Sequence, residues 1–535
     1  MIAKVVLGNF RRFKDAVVEF DKGLNILVGD NESGKSTLLE AINLGLTKRW
    51  NGRFFEQVLS HHFITSSVAD AYVAKAKAKT RPRPPELLIE LYLEDGRSTA
   101  RLKGKNNSLG ENTPGYRLRA ALDPDFEDEY ESFLSEPTEV KTVPTEYFRV
   151  DWTDFSGQPV SARAQLVKAS LIDASRIRLQ SGADHHLRQI IAGTLDTKSR
   201  AQLARSYRLH QEHFTEDAAI VAINKSLAAR GDGITDKDFT FEIDTSGANG
   251  WESAVSPHLD RLPFHFSGSG EQNRLKILLA LSRRVDESHV VLIEEPENHL
   301  SFSNLNNLIE RISSQSDGRQ VIIATHSSFV VNKLGLGQVR LLGDSGASPL
   351  TALPSDTQDY FRKLAGHDTL RLVLARRVVL VEGPSDELLF QRAYFDKHGK
   401  RPIEDGVDVI SVRGLSAKRF LDLAIPLKRR VVVLADNDGD HAAKVDKRYA
   451  DYAEHGFITI ARSEDDAKST LEPQMLSANG LAAVNKILGR KDASEAEALA
   501  YMTDHKTDVA LRFHDTDQRV AWPPYIEEAI NALDQ

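Results

Sequence analysis

The sequence predicts an α/β protein built on parallel sheets and divided into more than one domain. Three observations carry this reading. A chain of 535 residues is too long for one hydrophobic core, and about 100 to 250 residues per domain gives two or three. Apolar strand-like runs recur at 290–293, 320–324, 378–381 and 431–435, each followed by polar residues and then a helical pattern, which is the rhythm of a parallel sheet. Glycine turns and acidic residues stand at the ends of these runs, where open parallel sheets bind their ligands.

The elements follow in order. Residues 2–8 and 24–28 read as short strands, the second ending at a glycine-rich turn that leads into a helical pattern over 36–46. From about 50 to 85 the text becomes basic and proline-rich, with Lys75, Lys77, Lys79, Arg81, Pro82, Arg83, Pro84 and Pro85; this predicts a loop or short helix before strand character returns at 87–93. Residues 160–230 are rich in helix formers and poor in proline, which predicts a helical hairpin protruding from a globular head. No internal repeat is evident.

Composition narrows the chemistry. Hydrophobic content of 41% and charged content of 27% are ordinary for a globular chain, and no apolar run approaches the roughly 20 residues of a membrane span. The opening residues lack the regions of a signal peptide, so a cytoplasmic, non-membrane protein is expected. There is no cysteine, which excludes disulfides, thiolate metal sites and a cysteine nucleophile. Any metal must be held by oxygen or imidazole. A net charge of −8 means that a nucleic-acid surface would have to be a local patch.

Gly29-Asp30-Asn31-Glu32-Ser33-Gly34-Lys35-Ser36-Thr37 fits the phosphate-binding pattern G-x-x-x-x-G-K-[ST] between a strand and a helix. Backbone N–H groups from Asn31 to Thr37 can turn towards phosphates, Lys35 can reach the β and γ phosphates, and the Ser36 hydroxyl can ligate magnesium. Downstream, the buried run ending in Glu294 and Glu295 reads as a Walker B strand. Glu294 takes the position that holds magnesium and Glu295 the one that polarises attacking water. Between them in sequence, Ser267, Gly268 and Gly270 make a turn at a helix start, able to offer N–H groups to a phosphate. His326 follows the run at 320–324. This order of motifs resembles the ABC ATPases of the RecF and SMC type over residues 1 to about 345. The resemblance implies ATP as ligand, the turn at 267–270 serving the phosphate of a second protomer, and His326 as a γ-phosphate sensor. The glutamine that links nucleotide to the helical insertion in such ATPases is not identifiable; Gln158 and Gln165 are weak candidates.

The runs at 378–381 and 431–435 end in Glu382-Gly383-Pro384-Ser385-Asp386 and in Asp436-Asn437-Asp438-Gly439-Asp440. Acids so concentrated call for divalent cations, and oxygen ligation suits magnesium or manganese. The pair E-G-x-x-D and D-x-D resembles the Toprim fold. Thr470-Leu471-Glu472 and Lys506-Thr507 further resemble segments of the OLD (overcoming lysogenization defect) nucleases, including those of the Gabija kind. The resemblance implies Glu382, Asp386, Asp436, Asp438 and Glu472 as metal ligands, with Glu382 also catalytic. It places Lys506 at the scissile phosphate, where two cations would activate water and stabilise the leaving oxygen. Two departures are visible: Ser301-Phe302 follows His299-Leu300 where the family often has His-Pro, and Asp440 adds a third acid more usual in topoisomerases.

The expected plan is an ABC-type head at 1–160 and 256–365, a helical insertion for dimerisation at 161–255, and a Toprim domain at 366–535. The expected activity is ATP-controlled, metal-dependent cleavage of DNA by a homodimer or larger homo-oligomer, in prokaryotic antiphage defence and with a helicase or reverse-transcriptase partner. Two alternatives stay open: a RecF-like DNA-sensing ATPase whose Toprim is a scaffold, and a nuclease acting on RNA or tRNA.

Overall fold

A computed structural model describes all residues except 137, 162–165, 174–194, 229–239, 243–250, 252–257, 283–288, 316–317, 344–345, 351–352, 413–416 and 535. The chain forms two compact units, one spanning 1–27, 32–325 and 342–347, the other 28–31, 326–341 and 348–535.

The first unit is organised by strands β1 (Ile2–Phe10), β2 (Phe13–Glu19), β3 (Leu24–Val28), β4 (Leu87–Leu93), β5 (Thr113–Leu122), β6 (Phe148–Asp154), β7 (Ala169–Asp173), β8 (Val290–Glu294) and β9 (Gln320–Ala324). They belong to one twelve-stranded sheet of two characters. The run β2-β1-β4-β5-β6 is antiparallel. The run β7-β8-β9-β3 is parallel. Composition explains the split. Every residue of β8 and β9 is buried, as strands covered on both faces require, whereas β2 alternates buried and exposed positions and keeps one face in water. Helix α1 (Lys35–Thr47) lies against β4 at Gly45, where an added Cβ would stand 2.9 Å from a Leu91 methyl. Trp152 Nε1 locks the same point by donating to the Gly45 carbonyl at 2.9 Å.

The segment expected to be a helical insertion is not helical throughout. Helices Thr197–Thr215 and Ala218–Ala228 are present, but Ala169–Asp173 is β7, paired in parallel register with the acid-bearing strand β8. Five residues cannot show a period of 3.6, and their Leu and Ile are held by the neighbouring strand rather than by local propensity. Much of 174–257, and Gln165, lie outside the described residues. The basic stretch near 75 follows the short-helix expectation, in Ser66–Lys77.

The second unit carries a four-stranded parallel sheet of β10 (Arg377–Val381), β11 (Val407–Ser411), β12 (Arg430–Ala435) and β13 (Ile458–Arg462), in the order β11-β10-β12-β13. With helix α2 (Ser269–Ser282) assigned to the first unit, the second has α3 (Pro384–His398), α4 (Lys447–Ala453), α5 (Leu471–Leu488), α6 (Lys506–Asp515) and α7 (Pro524–Asp534). Val379, Val381, Val432 and Leu434 form a core with Leu389, Phe390, Met475, Phe513 and Ile526 from the helices. Among the described residues no helix is long and apolar enough to cross a membrane.

Candidate functional site

Three groups of the residues singled out by sequence are brought together locally. The first is the glycine loop between β3 and α1. Gly34 caps α1 with φ 97°, and Glu32 also has positive φ, at 66°. A Cβ on Gly34 would lie 2.6 Å from the Phe13 ring, so both conformation and space demand glycine there. Lys35 is 5% exposed and its Nζ donates to Ser33 Oγ at 3.3 Å. Ser36 and Thr37 fill the first helical turn, whose N–H groups have no intrahelical acceptor. Asn31 is exposed on the loop. This cradle suits a phosphate chain.

The second group joins the end of β8 to the start of α2. Glu294 is 8% exposed at the last position of β8. Glu295 turns the chain with φ 45°, its N–H donating to Ala324 O at 2.8 Å and its carboxylate accepting from Asn298 Nδ2. Thr325 Oγ1 donates to Glu297 Oε1 at 2.7 Å. Ser267 precedes α2 and Gln272 Nε2 donates back to its carbonyl at 2.8 Å. Gly268 has open space around it, whereas Gly270 is pressed against the His299 carbonyl. The turn at 267–270 is therefore packed on the segment that follows Glu295. Because β8, β9 and β3 are parallel neighbours, the β8 acids and the glycine loop leave the same edge of the sheet.

His326, the residue after Thr325, is exposed and in the second unit borders a cavity of about 650 Å³ with Asp30, Ser327, Arg371 and Asp408. Gln158 is exposed in a turn where its N–H donates to Asp154 Oδ1 and its carbonyl accepts from Asp154 N. These contacts to the Gln158 backbone close the end of β6.

The third group lies at the carboxyl edge of the second unit's sheet. Val379 and Leu380 of β10 pair with Val432 and Val433 of β12, so Glu382 and Asp436 leave adjacent parallel strands at one edge. Asp386 sits in the first turn of α3 and its Oδ2 accepts from the Gly383 N–H at 2.9 Å. The loop after β12 is pinned by Asn437, fully buried, whose Nδ2 donates to Ser463 O and Asp465 O at 3.1 and 3.0 Å. Asp438 (φ 50°) and Gly439 (φ 81°) make the turn. Glu472, 5% exposed in the first turn of α5, accepts from Thr470 Oγ1 at 2.9 Å and pairs with Lys506 Nζ at 3.1 Å.

Burial and crowding make Asp436, Asp386 and Glu382 reluctant to ionise. Asp436 is pushed up to about 8, first by desolvation and then by Asp386, Glu382 and Glu472. Asp386 is pushed up to about 6 by desolvation and Glu472, against the Gly383 N–H and Lys506. Glu382, open at the surface yet ringed by protein, is raised by desolvation and by Asp386 and Asp438, with Arg448 and Lys506 opposing. An oxygen-only set that repels itself has the donor chemistry of a hard divalent cation site. Among the described residues no three His, Asp or Glu already stand around one point; oxygens of Asp386 and Glu472 are engaged by Gly383, Thr470 and Lys506 instead.

Sequence reasoning missed Asn298, Asn437 and Tyr525. Asn437 lies inside a quoted motif and Asn298 just before His299, and polar residues in acidic turns can be suspected as turn pins. Tyr525, 4% exposed on α7, is raised well above its ordinary range by burial and by Asp436, Asp386, Glu472 and Glu382. In the sequence it is one more aromatic of an amphipathic helix.

The comparisons with known proteins agree with this arrangement. A family model described as "AAA domain, putative AbiEii toxin, Type IV TA system" matches residues 24–332, and one described as "Overcoming lysogenization defect protein-like, TOPRIM domain" matches 373–438. The DNA replication and repair protein RecF of Pasteurella multocida is 32% identical over 108 residues, which are 20% of this chain and 28% of that protein. The chain thus spans little more than a quarter of that relative. RecF of Magnetococcus marinus is 22% identical over 389 residues, 65% of this chain and 97% of that protein. The C-terminal region of the Burkholderia pseudomallei OLD protein covers 30% of this chain and 98% of its own, with 21% identity and a TM-score of 0.25. The expected order of ATPase and then OLD-like Toprim is borne out, and the chain belongs to the AAA-domain family whose model spans more than half of it, joined here to an OLD-like Toprim domain.

Proposed function

We propose that this chain is an ATP-hydrolysing, metal-dependent DNA endonuclease of OLD type, working under nucleotide control in the cytoplasm in prokaryotic antiphage defence. The observation that supports it best is the gathering of Glu382, Asp386, Asp436, Asp438 and Glu472 beside Lys506 at one edge of a parallel sheet. These five acids would hold magnesium or manganese, which supplies the positive charge needed to activate water and stabilise the leaving oxygen. Glu382 would take up the proton that the attacking water gives up. Lys506, held by Glu472, faces the charge that develops on the phosphate.

In the ATPase, Asn31, Gly34, Lys35, Ser36 and Thr37 bind the phosphates, and Ser36 and Glu294 hold magnesium. Glu295, fixed by Asn298, orients the attacking water. Ser267, Gly268 and Gly270 serve a second protomer and His326 senses the γ-phosphate. Phe266 and Phe302, 68% and 71% exposed on either side of this turn and β8, favour self-association, since exposed apolar groups mark contact surfaces. The proposed division keeps ATPase at 1–160 and 256–365, a dimerisation segment at 161–255 and Toprim at 366–535. A helicase or reverse-transcriptase partner finds no support in the matches and is not carried forward.

Supercoiled plasmid incubated with the protein in magnesium or manganese, with and without ATP, tests the reading: wild type nicks or linearises it and Glu382→Ala does not. A second reading, a RecF-like DNA-binding ATPase with Toprim as scaffold, is favoured by the RecF match across 65% of the chain. Binding of DNA without cleavage by wild type would select it.

A further inference from the structure

The chain that leaves the acidic edge after Asp440 takes an unusual path. Ala442–Asp446 is a π-helical turn, and α4 continues from it. Asp440 starts the turn: its Oδ1 accepts from Ala443 N at 3.0 Å and its carbonyl from Lys444 N at 2.9 Å. A π turn inserts an extra residue and rotates everything beyond it, and such turns concentrate at functional sites. Along this turn and α4, Val445 and Tyr449 are buried, at 1% and 6% exposure, while Lys444, Lys447 and Arg448 are exposed.

These three cations differ from others nearby. Arg462 is paired with Asp446, Arg392 with Asp396 and Lys506 with Glu472. Among the described residues Lys444, Lys447 and Arg448 have no carboxylate within ion-pair distance. Arg448 is nonetheless oriented, its guanidinium 5.4 Å from the centre of the Tyr449 ring. The turn that leads to it begins at Asp440, four residues beyond Asp436, so Arg448 stands on the segment that leaves the acidic edge. Divalent cations bound there would be largely offset by the five acids, and the net charge of −8 offers no general attraction for a polyphosphate strand. Cations placed at the rim can supply it.

We infer that Arg448, with Lys444 and Lys447 beside it, grips the phosphate backbone of the nucleic acid that enters the Toprim edge. This rests on the nuclease reading. A guanidinium held over an aromatic ring loses little freedom when it takes a phosphate in a two-pronged hydrogen bond, and contacts of this kind fix the strand's position without reading bases.

The test uses the full chain and a labelled duplex, with affinity measured by anisotropy from 50 to 200 mM salt and plasmid nicking measured for kcat and KM. Arg448→Ala and Arg448→Gln should weaken binding several-fold and flatten the slope of log K against log salt by about one unit, raising KM more than they lower kcat. Arg448→Lys should keep the slope, and the triple variant with Lys444→Ala and Lys447→Ala should flatten it by about three. Wild-type affinity and slope in Arg448→Gln and in the triple variant would overturn the inference, as would a fall in kcat at unchanged KM. A wild type that binds with these slopes but never cleaves sinks the nuclease reading alone. A wild type that binds no nucleic acid overturns the inference itself.

Discussion

Gly270 lies directly beneath the backbone carbonyl of His299: a Cβ on Gly270 would stand 2.1 Å from that oxygen, whereas one on Gly268 would meet nothing within 4 Å. The two glycines of one turn therefore have different reasons to be glycine. Gly270 lets α2 pack on the segment after β8, and Gly268 keeps an outward surface free.

The first prediction separates them. Gly270→Ala forces α2 and the 296–300 segment apart and should destabilise the protein by about 1–3 kcal/mol, the usual range for overpacking. Gly268→Ala should melt like wild type but associate less with itself when ATP is added. Calorimetric melting and sedimentation with ATP check both; equal melting of the two variants would deny the close approach.

The second prediction concerns ATP. Lys35→Ala removes the buried cation of the glycine loop and should abolish nucleotide binding. Glu295→Gln keeps the turn and the Asn298 contact but loses the charge that polarises water, so it should bind ATP normally and hydrolyse it about 10²- to 10⁴-fold more slowly. Titration calorimetry and a turnover assay distinguish the cases, and unaltered affinity in Lys35→Ala would reject the assignment.

The sequence made the ends of strands legible because glycine and acid residues there have few other uses: Gly34 is required by its φ and by Phe13, and Glu382 and Asp436 by the shared edge of β10 and β12. It did not make partners legible. Ala169–Asp173 is a strand because β8 lies beside it, and five residues carry no period to announce that. Tyr525 shares a buried core with Val432 and Leu434 of the strand that ends in Asp436, from a helix nearly ninety residues further on, a placement created by packing alone. In the sequence Lys506 and Glu472 are separate agents, whereas in the fold they form one ion pair.

The third prediction follows from crowding. Burial first, and then the charges of Asp386, Glu382 and Glu472, disfavour a charge on Asp436, so Asp436→Asn should remove that cost when no divalent ion is present and stabilise the protein by about 1 kcal/mol, a rise of roughly 2–4 °C in Tm for a unit of this size. The same change should abolish cleavage and the added stability that manganese gives wild type. Melting curves in chelator and in manganese provide the comparison. A lower Tm in chelator would show that the carboxylate is a structural hydrogen-bond acceptor rather than a repelled charge.

The last prediction tests the Lys506–Glu472 pair. Glu472 is buried, and its carboxylate is held by the Thr470 hydroxyl and by Lys506, while half of the Lys506 side chain is open to solvent. If the lysine serves the phosphate, Lys506→Ala should slow cleavage by about 10²- to 10³-fold, the scale of one lost electrostatic donor, while manganese still binds. It also leaves the Glu472 carboxylate without its cation, so the variant should lose stability in chelator and regain it when manganese is added, because the ion can replace the lysine as counter-charge. Lys506→Ala combined with Glu472→Gln should recover the stability without metal but not the cleavage, since neutralising the acid removes the uncompensated charge and restores nothing at the phosphate. Plasmid nicking, manganese calorimetry and melting on the two single variants and the double close the cycle. Loss of manganese binding in Lys506→Ala, or recovery of cleavage in the double variant, would mean that the lysine acts only through Glu472 and never meets the substrate.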